Sequence, residues 1–221
     1  PETRFAVVIP ARNEERVIGK LIDRLNAQHY PRDRFDIYVA INNCTDRTAE
    51  AARRAGAQVL EMPASVRSKG AALHTAAKAL LRSARNYDAF CVFDADNEAD
   101  PAFLSEMNRA LDRTAIVKSR ILAKNRTQAG ISACYEIYFC SANHFLNRAR
   151  EAVGLSARVI GTGFAIRRDL LEALDGFPCR TLTEDAELYA ACLCRGARIG
   201  YCETAVTYDE EPVTWRASLV Q

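Results

Sequence analysis

The chain has 221 residues, enough for one large α/β domain with a sizeable core. Hydrophobic residues make up 49% and charged residues 26%, which is ordinary for a globular protein. A formal net charge of +2, with no basic run interleaved with aromatics, argues against a whole-surface attraction to nucleic acid. No segment reaches the roughly 18 apolar residues that a membrane span needs, and no signal peptide opens the chain. It begins at Pro1 without a methionine and stops at Gln221 inside a helix-like stretch, so it reads as a piece of something longer. Eight cysteines include no C-x-x-C pair and the three histidines are scattered, a pattern that suits buried reduced thiols better than a zinc site.

The elements follow in order. FAVVIP (5–10) is an apolar run ended by proline, a strand. EERVIGKLIDRLNAQ (14–28) carries Val17, Ile18, Leu21, Ile22 and Leu25 at helical spacing. FDIYVAIN (35–42) predicts a second strand, TDRTAEAARRAGA (45–57) a capped helix ending at Gly56, and AQVLEM (57–62) a short third strand. An alanine-rich helix over 68–84 leads to a fourth strand, YDAFCVFD (87–94), and then to a helix over 101–112 with proline in its first turn. Four strand–helix alternations predict a mostly parallel, Rossmann-like central sheet with helices on both faces.

The second half changes character. Residues 114–122 read as a strand, 129–152 as one long helix carrying Tyr135, Tyr138, Phe139 and Phe145, and 158–168 as a glycine-broken strand. A helix over 182–196 and one or two strands over 197–210 follow. No repeat, linker or low-complexity stretch interrupts the chain, so it is one domain.

In parallel sheets ligands bind beyond the carboxyl ends of the strands. Pro10 to Glu14, Asn42 to Asp46, and Asp94-Ala95-Asp96 all fall there. Two carboxylates at the end of a buried strand repel, and a hard divalent cation such as Mg²⁺ or Mn²⁺ makes them tolerable; a polar turn is the plainer alternative. Thr183-Glu184-Asp185 opens a helix. Thr181 with Glu184 fits a capping box, whereas Asp185 or Glu184 could also take a proton from a hydroxyl. Gly161-Thr162-Gly163 marks either a close backbone approach or a bulge. Lys69 opens a helix, where phosphates bind readily, or is simply exposed there.

Taken in order, PARNEE (10–15), NNCTD (42–46), SKG (68–70), DAD (94–96), GTG (161–163) and TED (183–185) resemble the family 2 glycosyltransferases of GT-A fold. The likeness lies especially toward the bacterial membrane-bound branch near the cellulose, hyaluronan and poly-N-acetylglucosamine synthases. The resemblance covers nearly the whole chain. It implies a nucleotide-sugar-binding half (1–113) and an acceptor-binding half (114–221). Pro10, Ala11, Arg12, Asn13 and Glu14 would line the nucleoside pocket, Asn42 and Asn43 would read uracil, and Lys69 would lie near the nucleotide. Asp96, with Asp94 beside it and Ala95 between, would hold the metal that bridges the diphosphate. Gly161, Thr162, Gly163 and Thr183 would border the acceptor. Asp185, with Glu184, would supply the general base.

Relatives commonly carry aspartate where Asn42 stands; an amide oxygen accepts the same bond without charge assistance. Gln221 would begin the Q-x-x-R-W motif of the polymerising relatives. The partners implied are a UDP-sugar and a saccharide or lipid-linked acceptor, in a parent chain embedded at the cytoplasmic face of the plasma membrane. Two further readings compete: a nucleotide-sugar-binding module without turnover, and a haloacid-dehalogenase-like phosphatase with Asp94 as nucleophile.

Overall fold

The computed structural model describes residues 2–178, 181 and 183–220, with Val220 described by its backbone alone. The first half alternates as the apolar periodicity dictates. Strands β1 (Phe5–Ala11), β2 (Phe35–Ile41), β3 (Gln58–Glu61) and β4 (Ala89–Val92) are interleaved with helices α1 (Ile18–Asn26), α2 (Thr48–Arg54) and α3 (Lys69–Leu81). A two-residue strand β5 (Glu98–Ala99) precedes α4 (Phe103–Leu111) and β6 (Ile116–Ala123). The long helix begins as α5 (Gly130–Ser141), passes through a π-helical stretch (Ala142–Arg148) and ends as α6 (Ala149–Ala152). Then come β7 (Phe164–Arg167), α7 (Arg168–Ala173), α8 (Glu184–Cys194), β8 (Ile199–Asp209) and α9 (Trp215–Val220).

The eight strands form one sheet in the order β3-β2-β1-β4-β7-β6-β8-β5. Neighbours β3, β2, β1 and β4 are parallel; β7 is antiparallel to both β4 and β6, and β8 is parallel to β6 and antiparallel to β5. Six strands therefore run one way, and β5 and β7 run against them. This is the expected mostly parallel α/β sheet.

Both faces are covered because side chains alternate along each strand. Phe5, Val7 and Ile9 of β1 pack with Leu21, Ile22 and Leu25 of α1 and Phe103 and Met107 of α4 on one face. Ala6 and Val8 pack with Leu73, Ala76 and Leu80 of α3 and Leu188 of α8 on the other. Each such Val, Leu, Ile, Phe or Met side chain, fully buried, stabilises the fold by about 1.5–3 kcal/mol.

The 158–168 segment departs from expectation. Only Phe164–Arg167 is strand, and the residues before it cross to the carboxyl edge of β4 as irregular backbone. The direction of β7 is the reason. Because β7 is antiparallel to β4, its first residue Phe164 lies opposite Val92, the last of β4. Gly161-Thr162-Gly163 are thereby delivered beside Asp94. Gly163 donates its N–H to Val92 O at 2.8 Å and accepts from Ser119 N at 2.9 Å, so it sits between β4 and β6.

β7 ends its pairing with β6 at Lys118, leaving Ile121 without a strand on that side. Asn143, from the π-helical stretch, fills the place: its amide nitrogen donates to Ile121 O at 2.7 Å and its oxygen accepts from Ile121 N at 3.4 Å. Seven cysteines are described and none is in a disulfide, as expected for reduced thiols. Cys134 and Cys194 are nevertheless exposed rather than buried. No helix among the described residues is long and apolar enough to cross a membrane.

Gly163 has φ +60°, and a Cβ there would lie 2.5 Å from Thr207 Oγ1 and 2.6 Å from Ser119 Oγ. Gly154 has φ +75° with nothing within 4 Å of an added Cβ. Both replacements by alanine meet the backbone cost of about 1–2 kcal/mol for a left-handed non-glycine residue. Only Gly163→Ala adds overpacking, typically another 1–3 kcal/mol. Thermal melts are expected to show a clearly larger drop for Gly163→Ala than for Gly154→Ala; equal drops would remove the close-packing account.

Candidate active site

The polar ends of β1, β2 and β4 converge as the topology requires. Pro10, Ala11, Arg12, Glu14, Asn42, Lys69, Asp94, Ala95 and Asp96 line one cavity of about 460 Å³. The same cavity is lined by Arg67, Asp209, Glu210 and Glu211, which the sequence reasoning did not single out. A usable signal was present: the end of β8 reads Asp209-Glu210-Glu211, carboxylates leaving a strand just as Asp94-Ala95-Asp96 leaves β4.

Asn13 and Asn43 are exposed and lie outside the lining, in the two loops that carry it. Both hold left-handed backbone, φ 61° and 50°, which asparagine tolerates better than most residues. Asn13 Oδ1 accepts from Thr45 N at 2.8 Å, tying the β1 loop to the β2 loop. The Asn43 amide donates to Val66 O at 2.6 Å and to Asn42 Oδ1 at 3.0 Å. Asn42 is buried, with its amide nitrogen 3.4 Å from Ser68 O. The side chain of Ser68 accepts from Ala71 N at 3.1 Å and so caps α3, which fixes Lys69 in the first turn.

Lys69 is the junction of the site. Its Nζ lies 2.6 Å from Asp94 Oδ1, 3.4 Å from Glu184 Oε1 and 3.0 Å from the Gly161 carbonyl. Burial pulls its pKa down, but Asp94 and Glu184 together outweigh that, and the net shift is upward. The ammonium is therefore kept charged. Asp185, next along α8, accepts from Gly161 N at 3.2 Å through Oδ2 and from Ala186 N at 2.8 Å through Oδ1. The two ends of the expected site, DAD and TED, thus meet across Lys69 and Gly161.

Two expectations land elsewhere. The Thr181–Glu184 capping box does not form. Thr181 instead bonds Glu187 through its N–H at 3.0 Å and its hydroxyl at 3.2 Å, and Thr183, the exposed N-cap of α8, makes no side-chain cap bond. Glu184 turns to the Lys69 ammonium, a charge-assisted contact stronger than a neutral cap. Thr162 and Gly163 are buried beneath the site rather than open to it. Gln221 lies outside the described residues.

The carboxylates raise one another's pKa values. Burial, then the charge of Asp94, pushes Asp96 upward. Glu14 is raised by burial, then by Asp96, Asp46 and Asp94. Asp209 and Glu211 are each pushed up to about 7, first by burial and then chiefly by neighbouring carboxylates. Glu210 forms an ion pair with Lys124 at 2.6 Å. Six acidic residues line the cavity against Arg12, Arg67 and Lys69.

Among the described residues no three His, Cys, Asp or Glu side chains form a ready-made metal cage. That does not conflict with Mg²⁺ or Mn²⁺, since such a cation is often held by one or two carboxylates and draws its remaining ligands from substrate phosphates and water. The crowded, oxygen-only donor set around Asp96 fits that pattern.

Comparison with known proteins agrees with the geometry. A mannosyltransferase from Pyrobaculum calidifontis, in complex with GDP-Man and Mn²⁺, superposes with a TM-score of 0.76 at 22% identity, covering 99% of this chain and 60% of that one. TarS 1-349 of S. aureus in complex with UDP-GlcNAc gives 0.69 at 19% identity over 97% of this chain and 60% of its own. At these identities the likeness is one of fold. Among curated proteins, the probable glycosyltransferase YdaM of Bacillus subtilis is 28% identical over 96% of this chain and 52% of its own length. The beta-monoglucosyldiacylglycerol synthase of Synechocystis is 28% identical over 85% and 40%. The chain thus spans about half the length of the curated relatives it matches. With residues 1–221 matched by its model, the chain belongs to the family described as glycosyltransferase like family 2.

Proposed function

We propose that this domain transfers a sugar from a nucleotide-diphosphate sugar, UDP-linked, to an acceptor hydroxyl with inversion at the anomeric carbon, in polysaccharide or glycolipid synthesis at a membrane. The observation that carries the reading is the shared junction at Lys69 and Gly161. It joins a strand-end carboxylate pair suited to a diphosphate to Asp185, a carboxylate suited to a hydroxyl. The glycolipid relatives support a lipid-linked or saccharide acceptor, and the GDP-Man and UDP-GlcNAc complexes of the structural neighbours support a nucleotide-sugar donor.

In this reading Asn42 accepts from the nucleobase and Glu14 from the ribose, with Pro10 to Asn13 and Asn43 shaping the pocket. Asp96, assisted by Asp94, would hold Mg²⁺ or Mn²⁺, which when bound neutralises the diphosphate as it leaves. A cavity with more acids than bases repels a diphosphate by itself, so donor binding should require the cation. Lys69 keeps a fixed positive charge beside Asp94, and Glu184 helps to aim it. Asp185, oriented by two backbone N–H groups, takes the proton of the attacking hydroxyl. Gly161 and Thr183 border the acceptor, Thr162 and Gly163 support that wall from beneath, and Gln221 would extend it. Attack from the side opposite the leaving diphosphate inverts the centre in one displacement.

Asp185→Asn is expected to keep Mn²⁺-dependent UDP binding and to lose about 10²- to 10⁴-fold in transfer, measured with the full-length protein; turnover near wild type would remove Asp185 as base. Asp96→Ala should abolish the difference in UDP affinity with and without Mn²⁺ by calorimetry, and an unchanged difference would sink the metal assignment. Titrating UDP, GDP and ADP in Mn²⁺ should show UDP binding best, with Asn42→Asp tightening it through a charge-assisted bond, by about tenfold. A purine preference in the wild type would overturn the UDP assignment.

A further inference from the structure

Lys118 is 1% exposed, in mid-strand on β6, and carries no carboxylate within ion-pair distance among the described residues. A buried ammonium is costly unless its donors are satisfied. Its three donors meet three oxygens: Thr162 O at 2.8 Å, Gly163 O at 3.1 Å and Ser119 Oγ at 3.3 Å. An apolar side chain would fill the volume without that cost, so the polar end has some other use.

The use lies one bond further on. With the backbone of Thr162 held from below, its side-chain oxygen accepts from Asp94 N at 2.9 Å and donates to Asn97 Oδ1. Asn97, 1% exposed, accepts from the same Asp94 N–H at 3.1 Å and donates through Nδ2 to Asp209 Oδ1 at 2.7 Å. The buried chain therefore runs from β6 through the turn before β7 to the Asp94–Asp96 turn and on to the end of β8. It lies beneath the cavity wall, and the Lys118–Thr162, Thr162–Asp94, Thr162–Asn97 and Asn97–Asp209 links each join segments distant in the chain.

We infer that Lys118 is a positioning residue which, acting through Thr162 and Asn97, sets the Asp94–Asp96 turn in the geometry that holds the cation and diphosphate. The inference rests on the donor-site reading above, but its mechanical part does not: Asp94 N–H is held by two buried side-chain oxygens whatever the ligand. Burial also presses the Lys118 pKa down to about 7, against the opposing pull of Asp209 and Asp94.

The test compares Lys118→Met, Thr162→Val and Thr162→Ser with wild type. Two readouts are used, well below each melting temperature: UDP affinity with and without Mn²⁺ by calorimetry, and amide hydrogen exchange at Asp94. Lys118→Met and Thr162→Val are expected to weaken UDP binding in Mn²⁺ by about tenfold, the scale of one hydrogen bond, while metal-free affinity stays within about twofold. Thr162→Val should also speed Asp94 exchange by about tenfold, and Thr162→Ser should restore both values. Folded variants with wild-type affinity and exchange would overturn the inference, as would a loss of melting temperature with neither readout moved. If Lys118→Met does not fold, the Thr162 pair decides. If wild type itself shows no Mn²⁺-dependent UDP binding, the donor-site reading and the cation role fail, and the exchange data alone uphold or reject the brace.

Discussion

Between Asp94 at 2.6 Å and Glu184 at 3.4 Å, the Lys69 ammonium joins two elements that are 90 residues apart in the chain. Asp94 leaves the end of a parallel strand; Glu184 opens a helix in the other half. The same ammonium donates to Gly161 O, whose own N–H reaches Asp185. Removing this charge would leave two part-buried carboxylates facing a carbonyl, an arrangement with no donor to hold it. One cation, placed by the Ser68 cap of α3, thus ties the two ends of the site directly, beside the bonds of Thr162 to Asp94 and of Gly161 to Asp185.

A second constraint is electrostatic crowding. The cavity brings six acidic side chains to one place, and for Asp96, Asp209 and Glu211 burial limits the screening that water gives. Left alone, such a cluster takes up protons, and the upward shifts of Asp96, Asp209 and Glu211 express this. A folded protein tolerates the cost when the cluster is used, since strained electrostatics tends to collect at functional sites. A ligand that brings its own positive charge relieves the repulsion, and one that brings only negative charge meets it.

Much of this was legible from the residues. The alternation of apolar runs with 3.6-residue periodicity located β1 to β4 and α1 to α4, because local burial patterns dictate those elements. The strand-end clusters located most of the cavity for the same reason. What was not legible depended on chain direction and register. Residues 158–168 read as one strand, yet the antiparallel entry of β7 beside β4 turned the first half into a loop that supports Asp94. The Thr181–Glu184 spacing suggested a cap, but a distant ammonium claimed the glutamate. Lys118 stands beside Ser119 and Arg120 in a strand, where a solvated face is the plain reading, and only the carbonyls that face it across the sheet reveal its part. Asp209 to Glu211 followed the same rule as Asp94 to Asp96 and could have been found by applying that rule to the last strand.

The π-helical stretch carries a consequence for the sheet itself. Where β7 stops pairing with β6, the Asn143 amide meets both polar groups of Ile121, as a neighbouring strand would. An unpaired strand edge is a template on which another chain can add itself. Side chains close that template without a further strand: the Asn143 amide at Ile121, and Glu136 Oε2, which accepts from Ala123 N at 2.7 Å, while the other edge of β6 stays paired with β8 through Ala123. Lys124 carries the ladder with β8 one step further, its N–H donating to Asp209 O at 2.7 Å, while its side chain donates to Asp96 O at 3.1 Å. Two side chains of the long helix thus stand in for a neighbouring strand along this stretch of β6, and the polar groups they meet are not offered to another chain.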